Sequence, residues 1–136
     1  MVVQMKIDVN GTVPIFQQIV EGVRGEIAAG IYRSGDLIPS VRAQAVASLV
    51  NPNTVQRAYE QLERDGLVVS KKGTGMIVAG NGKSIAQEGA LRAAKAAFAQ
   101  GAWLGREAGI ARTALDKAYR EACGEVFSQE KVRGEA

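Results

Sequence analysis

Amide, hydroxyl and guanidinium side chains recur in a short stretch near the middle of the chain, from residue 51 to residue 59 (NPNTVQRAY). On a helix, Asn53 and Arg57 would lie opposite the apolar positions of the stretch, with Gln56 beside them. In the major groove of DNA, an amide can bond adenine bidentately and a guanidinium can do the same to guanine. The pattern therefore allows base recognition, although an amphipathic helix with a solvated polar face is the commoner use of such residues.

Local signals place these side chains on a helix. Asn51 can accept a backbone N–H as the N-cap, and Pro52 suits the first helical position because no N–H is needed there. Gly66, after Asp65, can adopt the left-handed conformation that ends a helix. The apolar residues in between recur at helical spacing: Val55, Ala58, Tyr59 and Leu62. We therefore predict an amphipathic helix from Pro52 to about Asp65.

Two further helices are predicted upstream. The first opens at Pro14 and runs for about seventeen residues. Its apolar stripe consists of Ile15, Phe16, Ile19, Val20, Val23 and Ile27. Ser40 then caps a second short helix, from Val41 to about Ser48.

The short link between the second and third helices is typical of a helix-turn-helix, although Leu49 stands where glycine is usual. Arg42 lies in the first turn of the second helix. Two roles stay open for this side chain, which are contact with DNA and solvation of an exposed face.

A β-hairpin is predicted after the third helix. The segments at residues 67–70 and 76–79 flank a glycine-containing turn. Lys71 and Lys72 are placed at its tip, where two lysines are most often merely solvated. A hairpin directly after a helix-turn-helix, however, makes the winged variant, whose basic tip can contact phosphates.

The composition changes to alanine-rich helix from about Ser84, after a hinge predicted at Asn81-Gly82. Small residues recur there at four-residue spacing: Gly89, Ala93, Ala97, Gly101, Gly105 and Gly109. This series predicts a helix side suited to close packing, with high alanine content alone as the alternative explanation. A second helix is predicted from about Ala111 to Phe127, followed by a frayed polar tail. These two helices need the winged domain, each other or a second copy of the chain to bury their apolar faces.

Composition narrows the chemistry that is open to the chain. The 136 residues carry a formal net charge of +3, with no histidine and one cysteine, Cys123. Histidine-based acid–base and nucleophilic chemistry and Cys/His zinc sites are thereby excluded, so we expect no catalytic residue, metal or cofactor. A mildly basic chain permits a nucleic-acid partner without requiring one. Cys123 is expected to be a small buried apolar residue.

The first ten residues, MVVQMKIDVN, lack the apolar region of a signal peptide, and no apolar run approaches the length of a membrane span. We therefore expect a cytoplasmic protein without membrane association. The loose alternation of Val3, Met5, Ile7 and Val9 predicts a short strand or an extended arm.

The order of these motifs resembles the winged helix-turn-helix domain of the GntR family of bacterial transcription regulators. The matching segments are GDLIPSVR at residues 35–42, NPNTVQRAY at 51–59, LERDGL at 62–67 and KGTG at 72–75. The run NPNTVQRAY followed by a short two-helix tail looks like the YtrA branch. The likeness covers roughly residues 12–79, about half the chain.

This resemblance implies a homodimer that binds a double-stranded DNA operator with inverted symmetry, and we expect a repressor. The DNA-binding residues that it implies, together with the wing lysines, are Arg42, Asn53, Thr54, Gln56, Arg57, Lys71, Lys72, Gly73, Thr74 and Gly75. Two departures from the family pattern lie in the second helix, where Gln44 and Ser48 replace frequent leucines and predict looser packing. Met76 stands where threonine is frequent, which removes a hydroxyl that could contact phosphate.

The C-terminal segment is too short for the effector domain or the aminotransferase-like domain of other branches, so dimerisation is its expected role. Two helices alone are expected to enclose no ligand pocket. The expected dimerisation residues are Leu91, Phe98, Leu104, Leu115 and Tyr119. The whole chain is thus expected to be mainly α with a small β-hairpin. A winged helix-turn-helix domain at residues 1–80 would precede a two-helix antiparallel dimerisation segment at residues 81–136.

One alternative function stays open from the sequence, a winged-helix module for protein–protein contact without DNA binding. A small-molecule effector at the dimer interface also stays open. An enzyme has little support, because the chain lacks histidine, a thiol pair and a carboxylate cluster.

Overall fold

The computed structural model describes residues 6–134. In chain order the elements are α1 (Ile15–Ala28), α2 (Val41–Ser48), α3 (Pro52–Arg64), β1 (Val68–Lys71), β2 (Gly75–Val78), α4 (Gly82–Glu107) and α5 (Arg112–Gly134). This mainly helical order with one antiparallel hairpin confirms the predicted fold class. The chain divides into two compact units, and the boundary falls within α4, after Leu91. The predicted domain boundary at residue 80 stays a prediction.

The core of the first unit lies between α1, α2 and α3. The buried apolar residues of α1 and α3 all belong to the predicted stripes: Ile19, Val20, Val23, Ile27, Val55, Ala58, Tyr59 and Leu62. The first two residues of the predicted α1 stripe, Ile15 and Phe16, are only partly buried. Each large apolar side chain buried in this way stabilises the fold by about 1.5–3 kcal/mol. The Tyr59 hydroxyl donates a hydrogen bond of 2.8 Å to the Pro39 carbonyl oxygen, which fixes α3 against the segment before α2. Burial raises the pKa of Tyr59, with smaller contributions from Tyr32 and Glu26, so the hydroxyl keeps its proton for this bond.

A glutamine holds the segment that precedes α1. The Gln18 side chain accepts from the Asp8 backbone N–H at 2.8 Å and donates to the Asp8 and Val13 carbonyl oxygens at 2.8 and 2.9 Å. The predicted strand is wrong for Ile7 and Val9, because the backbone there is irregular and then turns. The other two residues of that prediction, at positions 3 and 5, lie outside the described residues.

The predicted cap of α2 is confirmed, since the Ser40 hydroxyl accepts from the Ala43 backbone N–H at 3.0 Å. Gln44 and Ser48, the polar residues expected to loosen this helix, form a hydrogen bond with each other. Gln44 is only 1% exposed, and its amide nitrogen donates to the Ser48 hydroxyl at 2.6 Å. A buried amide with a partner avoids most of the cost of desolvation, so a hydrogen-bonded polar pair takes the place of the leucines that the resemblance implies.

Leu49 ends α2 in the left-handed region, with φ 55° and ψ 46°. A side chain with a Cβ is strained in this conformation, which explains why glycine is usual in the turn. The Leu49 side chain is 91% exposed, so it contributes little packing in return.

Leu49→Gly is therefore expected to raise the free energy of unfolding by about 1 kcal/mol, since the relief of strain exceeds the greater chain entropy of glycine in the unfolded state. Urea unfolding followed by circular dichroism measures this change. Leu49→Ala is the matched control, because alanine removes the side chain but keeps the Cβ. An equal gain in both variants would contradict the assignment to backbone strain.

The hairpin pairs β1 with β2 antiparallel, from Val68 opposite Val78 to Lys71 opposite Gly75. The tip is therefore formed by residues 72–74, and the placement of Lys71 in the turn is wrong by one residue. A short third segment, which the sequence did not predict, adds to the outer edge of β2. There Leu37 forms an isolated antiparallel bridge with Ile77.

The hinge predicted at Asn81-Gly82 is wrong, because α4 begins there in close packing. Gly82 is buried, and a Cβ at this position would approach the Leu67 carbonyl oxygen to 3.0 Å and the Val78 Cγ1 to 2.9 Å. Ala86, one turn later, is fully buried. The first turns of α4 therefore belong to the core of the winged domain.

The second unit contains the rest of α4 and α5. Gly105 packs against Leu115, whose Cδ2 would lie 2.5 Å from a Cβ on the glycine. The rings of Phe98 and Tyr119 meet edge to face, with 5.0 Å between their centroids. The tail predicted to fray from Ser128 is helical as far as Gly134, so that prediction is wrong over those residues.

Within the described residues, no helix is both long and apolar enough to cross a membrane.

Glu26 is a half-buried carboxyl on α1, and no ion pair between described residues includes it. Burial raises its pKa from 4.5 to about 7. Between these two pH values the folded state binds more protons than the unfolded state, so the free energy of unfolding falls as the pH rises.

Glu26→Gln is expected to remove this part of the pH dependence of stability. It should also raise the free energy of unfolding by about 1 kcal/mol above pH 7, a figure reduced to allow for the partial exposure of the side chain. Urea unfolding at about pH 5 and pH 8 measures both effects. Glu21→Gln, an exposed change of the same charge on the same helix, is the control. A pH slope unchanged by Glu26→Gln would contradict the role of burial.

Candidate nucleic-acid interface

The polar residues predicted on α3 share its outer face. Asn53, Gln56 and Arg57 are exposed, and Thr54 is partly exposed. The helix begins as predicted, since the Asn51 side chain accepts from the Asn53 backbone N–H at 2.8 Å. The N-terminal half of α3 therefore presents two amides, a hydroxyl and a guanidinium to solvent.

Some of the polar side chains on this face form hydrogen bonds with their neighbours on α3. The Gln56 amide nitrogen donates a hydrogen bond to the Glu60 carboxylate at 3.2 Å. The Gln56 amide oxygen takes no part in this bond. Further along, the Arg64 guanidinium donates to Gln61 at 2.8 Å. Among the described residues, neither Arg57 nor Arg64 forms an ion pair with a carboxylate.

Arg57 has a partner on α1 instead. Its guanidinium carbon lies over the Phe16 ring, 4.2 Å from the centroid. This is within the distance, about 6 Å, at which a cation is attracted to an aromatic face. Sequence reasoning assigned Phe16 to the apolar stripe and missed this contact, because the two residues are distant in the chain.

Arg42 is exposed in the first turn of α2, two residues after the Ser40 cap. The free backbone N–H groups of a helix start carry partial positive charge, and Arg42 adds a full charge beside them. The arrangement is suited to an anion such as a phosphate, and both roles considered for Arg42 stay open.

The wing presents a basic tip. Lys71, Lys72, Gly73, Thr74 and Gly75 are all exposed. Gly73 turns the chain with φ +79°, a conformation that a residue with a Cβ rarely adopts. Met76 turns inward and packs against the core, so the position after the tip stabilises the wing.

The expected dimerisation residues fall into two groups. Leu91 and Leu104 are exposed on α4. Phe98, Leu115 and Tyr119 contact residues of the same chain, as described above, although the two rings remain about half exposed. Trp103, which sequence reasoning did not select, is 53% exposed on α4.

Between α4 and α5 lies an open groove of about 800 Å³, lined mainly by apolar side chains that include Phe98, Ile110 and Tyr119. The groove is open to solvent, so the expectation that these two helices enclose no ligand pocket stays a prediction. Gly101 lines the groove, and a Cβ at this position would meet no neighbour within 4 Å, whereas Gly105 is in tight contact. The small-residue series thus packs closely within the chain at only part of its length.

Cys123 is partly exposed rather than buried, so the expectation of a buried cysteine is wrong. Its hydrogen bond with Tyr119 raises the pKa of that tyrosine.

Three helices followed by a two-stranded wing define a winged helix-turn-helix protein. Residues 15–78 match the family model described as "Bacterial regulatory proteins, gntR family". The chain is 37% identical over 87 residues to the HTH-type transcriptional repressor YtrA of Bacillus subtilis, a match that spans 64% of this chain and 67% of that relative. The chain therefore belongs to the GntR family of bacterial transcription regulators, and its likeness to YtrA agrees with the predicted branch.

Other comparisons agree with this assignment. An uncharacterised HTH-type transcriptional regulator of Bacillus subtilis, YhcF, is 39% identical over 66 residues, 48% of this chain and 54% of that relative. A GntR family transcriptional regulator from Listeria monocytogenes has a similar structure, with a TM-score of 0.73, 29% identity and coverage of 82% of this chain and 97% of that chain. These relatives are transcription regulators, which confirms that the chain is a regulator and no enzyme.

Proposed function

We propose that the chain is a DNA-binding repressor that acts as a homodimer on an operator with inverted symmetry. The observation that carries the proposal is the exposed polar face of the first half of α3, in the same compact unit as a basic wing. A helix of this kind fits the major groove, where Asn53, Gln56 and Arg57 would read base edges. The likeness to a relative named as a repressor supports repression rather than activation.

The charges near that helix suit a phosphate backbone. Arg42, Lys71 and Lys72 are exposed and form no ion pair with any described residue. Binding would release counterions from these phosphates, so affinity would fall steeply as salt rises. Gly73, Thr74 and Gly75 would let the wing backbone approach the duplex closely.

The second unit supports the dimer. Exposed apolar residues remain on α4 and α5 after the helices have packed against each other, and such patches are typical of an interface. We propose that Leu91, Phe98, Leu104, Leu115 and Tyr119 contribute to an antiparallel pairing of two copies. One recognition helix would read half of a site, so the pairing would set the spacing of the half-sites.

Selection of bound duplexes from a randomised pool by the full-length protein tests the function. We expect enrichment of a sequence with inverted symmetry and, in light scattering, the mass of a dimer. If the protein enriches no sequence and fails to bind duplex DNA even at low salt, that result favours the alternative function, a winged-helix module for protein–protein contact.

Lys72→Ala is expected to weaken binding to all duplexes alike, because a phosphate contact carries no sequence information. The slope of log affinity against log salt concentration (the salt slope) should become smaller by about 1. Fluorescence anisotropy over a salt series, with the enriched duplex and a scrambled duplex, measures both quantities. Lys83→Ala removes the same charge from the first turns of α4 and serves as the control. A selective loss on the enriched duplex alone would contradict this role for the wing.

A further inference from the structure

The contact between Phe16 and Arg57 joins a residue of α1 to the proposed base-reading face of α3. We propose that Phe16 is a positioning residue for DNA recognition, whose ring holds the Arg57 guanidinium in the direction from which it donates to a guanine. The inference rests on the proposed function and names a specificity determinant outside the recognition helix.

The geometry leaves the donors of Arg57 available. The guanidinium carbon of Arg57 lies over the face of the Phe16 ring, 4.2 Å from its centroid. A guanidinium carries five N–H donors in a planar fork, so contact with a single ring cannot occupy all of them. Arg57 is exposed, and no described carboxylate forms an ion pair with it. The contact therefore restrains the side chain and leaves it donors that could bond a base.

Restraint matters because a free arginine side chain has many rotamers. Ordering such a side chain on binding costs free energy that lowers affinity, and a side chain already held in place avoids part of that cost. Two other long polar side chains of α3 are held by neighbours on the same helix, in the bonds of Gln56 to Glu60 and of Arg64 to Gln61. Only for Arg57, among these three, does the restraint come from another helix.

Phe16 is itself fixed in place. Its side chain is partly buried and packs against the core. A second contact links the same two helices about two turns further along each of them. There the Arg24 guanidinium forms an ion pair with Asp65 at 3.3 Å. The ring is therefore a firm support for Arg57.

Phe16→Leu tests the proposal in the full-length protein, because it removes the aromatic face and keeps an apolar side chain. The probes are the duplex enriched by the unaltered protein and duplexes in which each guanine of the half-site is replaced in turn. We expect the preference for one guanine to fall about threefold to tenfold, with the salt slope unchanged. Phe16→Tyr, which keeps the ring, should retain the preference, and Phe16→Met gives a second variant without a ring.

The effect must also depend on Arg57. In an Arg57→Ala background, Phe16→Leu should cause no further loss of preference for that guanine. If Phe16→Leu instead lowers affinity for all duplexes alike, or lowers the preference equally in both backgrounds, the contact only joins α1 to α3 and the proposal is overturned. If the unaltered protein enriches no sequence at all, the proposed function fails with it. If enrichment occurs and all variants keep the preference, only the positioning role of Phe16 fails.

Discussion

Arg57→Ala is expected to weaken binding of the selected operator by about 1–3 kcal/mol and to relax the choice of base at one position of each half-site. The guanidinium would donate two parallel hydrogen bonds to a guanine, and alanine can donate neither. The substitution should leave the fold intact, because Arg57 is exposed and alanine is a good helix former. Affinity measured on the operator and on single-base variants of it gives both quantities.

Arg64→Ala is the matched control for this prediction. Arg64 lies on the same side of α3 two turns further on, where its guanidinium donates to Gln61 at 2.8 Å. We expect Arg64→Ala to cause at most a small loss of affinity, equal for all DNA sequences, because Arg64 would contact only solvent or phosphate. If Arg57→Ala changed neither the affinity nor the base preference, α3 would not be the helix that reads the operator in this way.

Features determined by neighbouring residues were predictable from the sequence. Asn51 and Pro52 specify the start of α3 through hydrogen bonding and backbone geometry within one turn, and Ser40 does the same for α2. The apolar stripes were also predictable, since a buried helix face repeats with the period of the helix. These local signals gave correct starts for α2 and α3.

Other features depend on residues that are distant in the chain, and these were missed or wrongly predicted. Asn81-Gly82 has the composition of a hinge, but the missing side chain of Gly82 instead lets α4 pack closely on Leu67 and Val78. The β-bridge of Leu37 with Ile77 and the contact of Arg57 with Phe16 likewise join residues far apart in the chain. No spacing rule within one segment could indicate these contacts.

Leu104→Glu is expected to give the largest loss, about 10²–10⁴-fold in apparent affinity for an operator with two half-sites. The Leu104 side chain is 58% exposed, so a glutamate, itself a good helix former, should be tolerated in the single chain. In a dimer interface the same carboxylate would be desolvated without a partner, which opposes association. The second half-site would then bind independently, and the gain from linking the two recognition helices would disappear.

Light scattering and operator titration together test this prediction, with a single half-site duplex as the reference. The variant should have the mass of one chain and should bind the half-site as the unaltered protein does, because the α3 face and the wing are unchanged. Gln129→Glu adds the same charge at an exposed position of α5 and is the control for a general electrostatic effect on DNA binding. A Leu104→Glu protein that stayed dimeric would remove Leu104 from the interface. A monomer that kept full operator affinity would show that pairing of the tails does not couple the two recognition helices.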